Sequence, residues 1–330
     1  FIGSRFARRF IEAGAEVTTL DNLSRPGSEW TAAGLRRDLG GEVRQIVADV
    51  RDAEAVSAAA ASADVIVHLA GQTAVTRSVA DPMGDFLDNG HGTINVLEAA
   101  RLNGRDPVVI HASTNKVYGS LDHLVVAEDP LRYRLVDRPL GIDERQPIDC
   151  ASPYACSKGA AELYVLDYAR TYGLPTVVLR QSCIYGEGQL GVEDQGWLAW
   201  FVRALSDGRG LTIFGDGKQV RDLLHVDDLF RCFQSAIAHI DVAAGRAYNV
   251  GGGPKNTMSV WLELGPILEE LLGRPTTPRF EPRRLGDQRV FVADITKAGT
   301  ELGWSPTIST DAGLRRLVDW VRSTDLPALP

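Results

Sequence analysis

The sequence predicts an α/β fold: a doubly wound parallel sheet carrying a second, smaller mixed α/β part. Three observations lead there. Short, continuously apolar strand-like runs alternate with helix-like segments from the first residues onward. Polar residues gather directly after the carboxyl ends of those strands, where doubly wound folds bind ligands. After Tyr185-Gly186 the alternation fails and short elements mix with Gly- and Pro-rich connections.

Taken in order, Ser4 to Ala13 reads as a helix stopped by Gly14, and Glu16 to Leu20 as a strand ending in Asp21. Val43 to Val47 repeats the strand pattern before Ala48-Asp49, and Asp52 to Ala61 is an alanine-rich helix. The run Val65 to Leu69 leads into Ala70-Gly71. Phe86 to Leu102 is helical, Val108 to His111 strand, Ser157 to Tyr172 helix and Thr176 to Leu179 strand. Glu187 to Arg209 holds a Gly- and acid-rich loop and then a Trp-rich helix. This second part reads as a lid over the sheet edge, with the chain returning to the first part around 226–250. The expected division is therefore 1–182 with about 226–250, against about 183–225 with 251–330.

Composition narrows the class. The 330 residues carry 35 Lys and Arg against 43 Asp and Glu, a net charge of −8, which argues against nucleic acid or an anionic membrane as partner. No apolar run reaches transmembrane length. Cys150, Cys156, Cys183 and Cys232 show no paired CxxC spacing, so neither a zinc site nor a disulfide framework is indicated, and no metal is expected. A reducing cytoplasm is the default compartment.

Gly3, with Phe1 and Ile2 before it, opens a helix leading to a strand that ends in Asp21. It sits where the last glycine of a GxxGxxG nucleotide fingerprint would sit. The expectation is that a strand and two glycines, roughly ten residues, belong ahead of Phe1. Asp21 follows the fingerprint at the distance where a carboxylate accepts hydrogen bonds from an adenosine ribose and repels a 2′-phosphate, which favours NAD over NADP. Asn22 and Ser24 could assist. Arg25 is the residue type that accommodates a 2′-phosphate.

Tyr154 and Lys158 lie one helical turn apart after Ser152-Pro153, so both project from one face. A phenol with a pKa of ~10 is a poor base at neutral pH, and a neighbouring ammonium favours the phenolate. Tyr154 could then take a hydroxyl proton, and Thr114, at the end of the strand Val108 to His111, could share it. A bare YxxxK also fits a surface pair on a helix. Strand, then Ser113-Thr114-Asn115-Lys116-Val117-Tyr118-Gly119, then a helix opening SPYxxSK is far more specific.

With these residues the sequence resembles the extended short-chain dehydrogenase/reductase family, the NAD-dependent sugar-nucleotide epimerases and dehydratases. The resemblance runs along the whole chain. It takes in Asp49-Val50, His68-Leu69-Ala70-Gly71, Asn89-x-x-Gly92-Thr93, Tyr185-Gly186, Arg221-Asp222-x-x-His225-Val226-Asp227-Asp228 and Leu302-Gly303-Trp304-Ser305-Pro306. It implies a Rossmann-like sheet with a sugar-nucleotide-binding domain, tightly bound NAD, and a Thr114/Tyr154/Lys158 triad. Cofactor contacts would come from Phe1, Ile2, Gly3, Asp21, Asn22, Ser24, Asp49, Val50, Leu69, Ala70, Gly71, Gln72, Asn89, Ser113, Tyr154, Lys158 and Arg180. Substrate contacts would come from Thr114, Asn115, Gln181, Ser182, Gln195, Arg221 and Arg289, the two arginines matching a diphosphate. The partner is a nucleotide-diphosphate sugar, and the family implies a homodimer or homotetramer through the helix bearing Tyr154 and Lys158.

Within the family, 4,6-dehydratases follow the threonine with Asp-Glu, the acid and base that remove water. Asn115 and Lys116 stand there instead, so that chemistry is disfavoured. Ser113 to Gly119, the long segment 120–149, Asp194 to Trp197, Gly217 to Asp222 and Asp287 to Asp294 are similar to a 2-epimerase branch acting on a nucleotide-linked hexose. A 4-epimerase using the same triad is the alternative. A non-catalytic NAD sensor would not need the three triad residues together. Trp197, Trp200 and Phe201 read as packing, Cys183 as packing and not a nucleophile, His225 as support for the nucleotide-binding turn, and Arg36-Arg37 and Arg283-Arg284 as solvated pairs.

Overall fold

The computed structural model describes residues 1–284 and 286–328. The first half alternates as expected: α1 (Ile2–Glu12), β1 (Val17–Asp21), α2 (Ser28–Leu39), β2 (Val43–Val47), α3 (Ala53–Ala60), β3 (Val65–His68), α4 (Val75–Ala80), α5 (Pro82–Phe86), a π turn over Leu87–His91, α6 (Gly92–Leu102), β4 (Val108–Thr114), the hairpin β5–β6 (Val126–Glu128, Tyr133–Leu135), α7 (Pro153–Tyr172) and β7 (Thr176–Gln181). The second half runs β8 (Cys183–Tyr185), α8 (Trp197–Ser206), β9 (Thr212–Phe214), β10 (Val220–His225), α9 (Val226–Ala238), α10 (Ile240–Ala243), β11 (Arg246–Val250), β12 (Thr257–Ser259), α11 (Leu264–Leu272), β13 (Arg279–Glu281), β14 (Val290–Phe291), α12 (Thr296–Leu302) and α13 (Thr310–Ser323).

The parallel sheet is in two pieces. Four strands pair in the order β11-β7-β4-β3, all parallel, and β1 pairs with β2. Alternation along each strand sends neighbouring side chains to opposite faces. Ile110, Val177 and Leu179 enter one core with Phe6 of α1 and Leu229, Phe230 and Phe233 of α9. Val109 and Val178 enter the other, with Val56 of α3, Leu97 of α6 and Val165 of α7. Both faces are covered, which is why the central runs of β3, β4 and β7 are apolar. Ala298, Leu302 and Trp304, assigned above to the second part, pack into the α1/α9 core.

The smaller part has its own core from α8, α11 and α13 with Leu223, Met258 and Trp261, and its strand β10 pairs with β8, β12 and β14. Trp197, Trp200 and Phe201 belong to this core, as expected.

Two local devices place the active residues. Ser152 caps α7, its Oγ accepting from Ala155 N at 3.2 Å, Pro153 occupies the first turn, and Gly173 ends the helix at φ 71°. That fixes where Tyr154 and Lys158 project. β4 runs three residues beyond its expected end, to Thr114, and β7 runs on to Gln181. The two terminal residues therefore pair directly across the sheet edge. The expected helix over Phe86 to Leu102 opens instead with the π turn, which carries Asn89 at its centre. Such turns are frequent at functional sites.

Candidate active site

Thr114, Tyr154 and Lys158 are buried together, at 8%, 7% and 7% exposure, under the lid and at the carboxyl edge of the sheet. Burial pushes the Tyr154 phenol up to about 12; the Thr114 hydroxyl, bonded to it, opposes this, and the charge of Asp85 adds to it. Lys158 is brought down to about 8 by burial, with Glu162 and Asp85 opposing. Its ammonium donates to Ala112 O at 2.5 Å and lies 3.4 Å from His111 Nε2. In the protein alone desolvation dominates at Tyr154, and the Lys158 ammonium is engaged by the β4 backbone. The His68 and His111 rings lie tilted by 42°, with 5.2 Å between their centres. Burial and then Lys158 hold both imidazoles neutral, His68 at about 3.

The turn after Thr114 is locked from the lid. Asn115 Nδ2 donates to Gln288 Oε1 at 3.0 Å, and the fully buried Gln288 donates to Gly119 O at 2.7 Å. Lys116 Nζ lies 3.5 Å from Asp287 Oδ1, which Arg221 also holds at 2.6 Å. Burial pushes the Asp287 carboxyl up, but Arg221 and Lys116 outweigh it and hold it below the usual carboxylate range. The Lys116 side chain keeps 25% of its surface accessible. Gln181, opposite Thr114, is 8% exposed, and its Nε2 has no partner.

Other candidates are placed differently. Ser182 bonds to Asp222, a fully buried carboxylate that also accepts from Gly253 N and Ala293 N, so its hydroxyl is not free for substrate. Ser113 Oγ donates to Glu162 at 2.8 Å. Arg180 is committed to Glu162 and to Tyr118 Oη at 2.7 Å, so neither side chain is presented to a cofactor. Arg289 is exposed and lines a cleft of about 300 Å³ with Asp122 and Arg283. Gln195 Oε1 is buried without a partner in the loop before α8. His225 supports its turn: Nδ1 accepts from Asp227 N at 3.2 Å and Nε2 meets Glu187 at 2.8 Å. Arg284 is not simply solvated; it stacks 3.8 Å over Phe214 and pairs with Asp194. Among the described residues no His/Cys/Asp/Glu cluster suits a metal, and no helix is long and apolar enough to cross a membrane.

Asp85 and Glu162 have no counterpart in the reading of the sequence, and Gln288 entered it only within the stretch Asp287 to Asp294, without its partners. Glu162 follows Lys158 by one helical turn, which is a local signal. Asp85 and Gln288 act on residues far away in the chain and carry none.

The strand ends fit a dinucleotide. Gly3 faces Leu69, 3.6 Å from where its Cβ would be, which brings the start of α1 against the turn after β3. A Cβ on Gly71 would sit 2.4 Å from Asn89 Oδ1, and that oxygen is buried without a partner. A buried acceptor left open beside a glycine turn is what a ligand hydroxyl or amide would satisfy. Phe1 and Ile2 pack near Val67 and Leu69. Asp21 and Asn22 form an exposed turn, Asp21 Oδ1 accepting from Leu23 N and Asn22 from Ser24, and Asn22 Nδ2 reaches Asp49 at 2.9 Å. Val50 packs against Gly92.

A doubly wound sheet with a buried Thr-Tyr-Lys constellation and a dinucleotide edge defines a nicotinamide-dependent enzyme of the short-chain dehydrogenase/reductase type. The chain belongs to the NAD dependent epimerase/dehydratase family, whose profile matches residues 1–251, and NAD is its cofactor. It is 41% identical to CDP-paratose 2-epimerase of Salmonella typhi, over 98% of this chain and 97% of that one. It is 34% identical to UDP-glucose 4-epimerase of Mycolicibacterium smegmatis, over 98% and 96%. Among solved structures, a double mutant of a dTDP-glucose 4,6-dehydratase from Streptomyces venezuelae with NAD bound superposes with a TM-score of 0.84 at 32% identity, over 98% of this chain and 94% of that one.

Proposed function

We propose that the protein is an isomerase that inverts C2 of a nucleotide-diphosphate hexose, with CDP-paratose and CDP-tyvelose as the substrate pair. The end-to-end likeness to CDP-paratose 2-epimerase supports this. Epimerases and dehydratases share the fold, so the observation that carries the reading is the turn after Thr114. It presents an amide tied to Gln288 and a cation beside Asp287, and no carboxylate for removing water.

Bound NAD supplies a reversible two-electron acceptor for a carbinol carbon. Phe1 to Gly3, Asp21, Asn22, Asp49, the Leu69 to Gln72 turn, Asn89 and Lys158 would hold it. Tyr154 Oη takes the hydroxyl proton of the reacting carbon and returns it after the sugar has turned its other face, giving inversion. Thr114 Oγ1, bonded to the phenol, shares that proton and favours the phenolate. Gln181 Nε2 beside Thr114 donates to a sugar oxygen. Lys116, with Arg221 behind it on the shared Asp287, faces the diphosphate while the hexose turns. The lid excludes water from the transient ketone. The protein works in the cytoplasm as a homodimer or homotetramer.

Incubating the NAD-loaded protein with CDP-, UDP-, dTDP- and GDP-hexoses and reading products by NMR tests the proposal. Inversion at C2 of a CDP-hexose is expected. Inversion at C4 of a UDP-hexose would replace it with a 4-epimerase, and a 4-keto-6-deoxy product would overturn both.

A further inference from the structure

Asp85 is a carboxylate at 2% exposure, in a short helix next to the π turn, and none of the steps above uses it. Its two oxygens take three side-chain hydrogen bonds from three separate parts of the chain. Gln72 Nε2, from the turn after β3, donates at 2.7 Å. Ser157 Oγ, on α7 between Tyr154 and Lys158, donates at 2.5 Å. Asn89 Nδ2, from the π turn, donates at 3.2 Å and also reaches Ser157 Oγ at 3.0 Å. Gln72, Asn89 and Ser157 are themselves buried.

An ionised carboxylate accepts and never donates. Each of the three groups bonded to the Asp85 side chain turns a hydrogen toward it. An amide obeying that rule turns its oxygen the other way. Gln72 Oε1 then accepts from Ala74 N, which closes the turn after Gly71. Asn89 Oδ1 is left beside Gly71 as a buried acceptor without a protein partner. We infer that Asp85 is a positioning residue: its carboxylate sets the hydrogen-bond polarity of Gln72, Asn89 and Ser157, and so presents the oxygen of Asn89, not its amide, at the Gly71 turn that holds the cofactor. A neutral amide at position 85 could be met by either face of Asn89 and would not make that choice.

The test reads NAD content per chain and the rate of NAD loss on dilution of the purified holoprotein, so it does not depend on which sugar is the substrate. Asp85→Asn is expected to lose NAD at least about tenfold faster, the factor that losing about one hydrogen bond to the cofactor makes. Asn89→Asp, which sets two acceptors face to face, is expected to do the same. The double variant Asp85→Asn/Asn89→Asp restores one donor–acceptor pair with the roles exchanged and returns an oxygen to the Gly71 side. It is expected to retain NAD better than Asn89→Asp alone, a rescue that a merely space-filling Asp85 would not produce. Wild-type retention in Asp85→Asn overturns the inference. Should that variant not fold, a double variant no better than Asn89→Asp overturns it equally.

Discussion

Asn115 and Gln288 are joined by a 3.0 Å hydrogen bond across 173 positions of sequence, so the lid holds the turn that carries Thr114. Both partners are buried, and Gln288 also spans to Gly119 O. Gln288→Ala leaves an amide and a carbonyl without partners. The expected cost is about 1–3 kcal/mol for each buried group left unsatisfied. Urea unfolding should register the lower stability, and turnover should fall with it as Thr114 loses its support.

Tyr154→Phe removes the phenol that is to move the proton while keeping the ring that fills the site. Loss of a positioned acid–base group costs about 10²–10⁴ in rate. NAD content should stay at the wild-type level, since the phenol is asked to move a proton and not to hold the cofactor. Near-normal turnover in this variant would remove Tyr154 from its role.

Lys158 links activity to stability through pH. Its folded pKa of about 8 lies below the 10.5 of an unburied lysine, so at pH 7 folding buries a charged ammonium against its preference. Between about 8 and 10.5 the unfolded chain binds the extra proton, and stability rises with pH through that window. The cost is present in full below pH 8 and is gone above about 10.5. Lys158→Met is expected to be more stable than the wild type at pH 7, by about 1–3 kcal/mol from a shift of this size. The gain should shrink as pH rises to 10. Denaturant midpoints at pH 7 and 10 measure it, and turnover should be lost at both.

If inversion proceeds through a ketone formed and reduced within one closed site, deuterium on the epimerised carbon stays in the product. NMR or mass spectrometry of product made in ordinary water reads this directly. Washout to solvent would mean that the carbon itself is deprotonated, and the role given to Tyr154 would fail.

Much of this site could be read before folding was considered. The strands around β3, β4 and β7 are visible because a sheet covered on both faces needs continuous apolar runs. Tyr154 and Lys158 are visible because helical spacing puts them on one face. Asn115 and Lys116 are visible because their chemistry departs from an acid–base pair. What could not be read are the partners. Arg180 resembles a ligand contact in the sequence, yet Glu162 and Tyr118 claim it. Ser182 reads as substrate-facing, yet Asp222 holds it. Arg289 pairs on paper with Arg221, yet it opens onto a different cleft.

The sequence by itself determined the alternation of strand and helix, the strand ends where chemistry collects, and the residue types of the triad. These follow from local periodicity and from which side chains can hold or move a proton. The tertiary structure alone decided which buried polar atoms are spent inside the protein and which are left open: Asp85 with Gln72, Asn89 and Ser157, and Gln288 with Asn115 and Gly119. A buried donor must find an acceptor wherever packing delivers one. That meeting depends on distance in space, which periodicity along the chain does not encode.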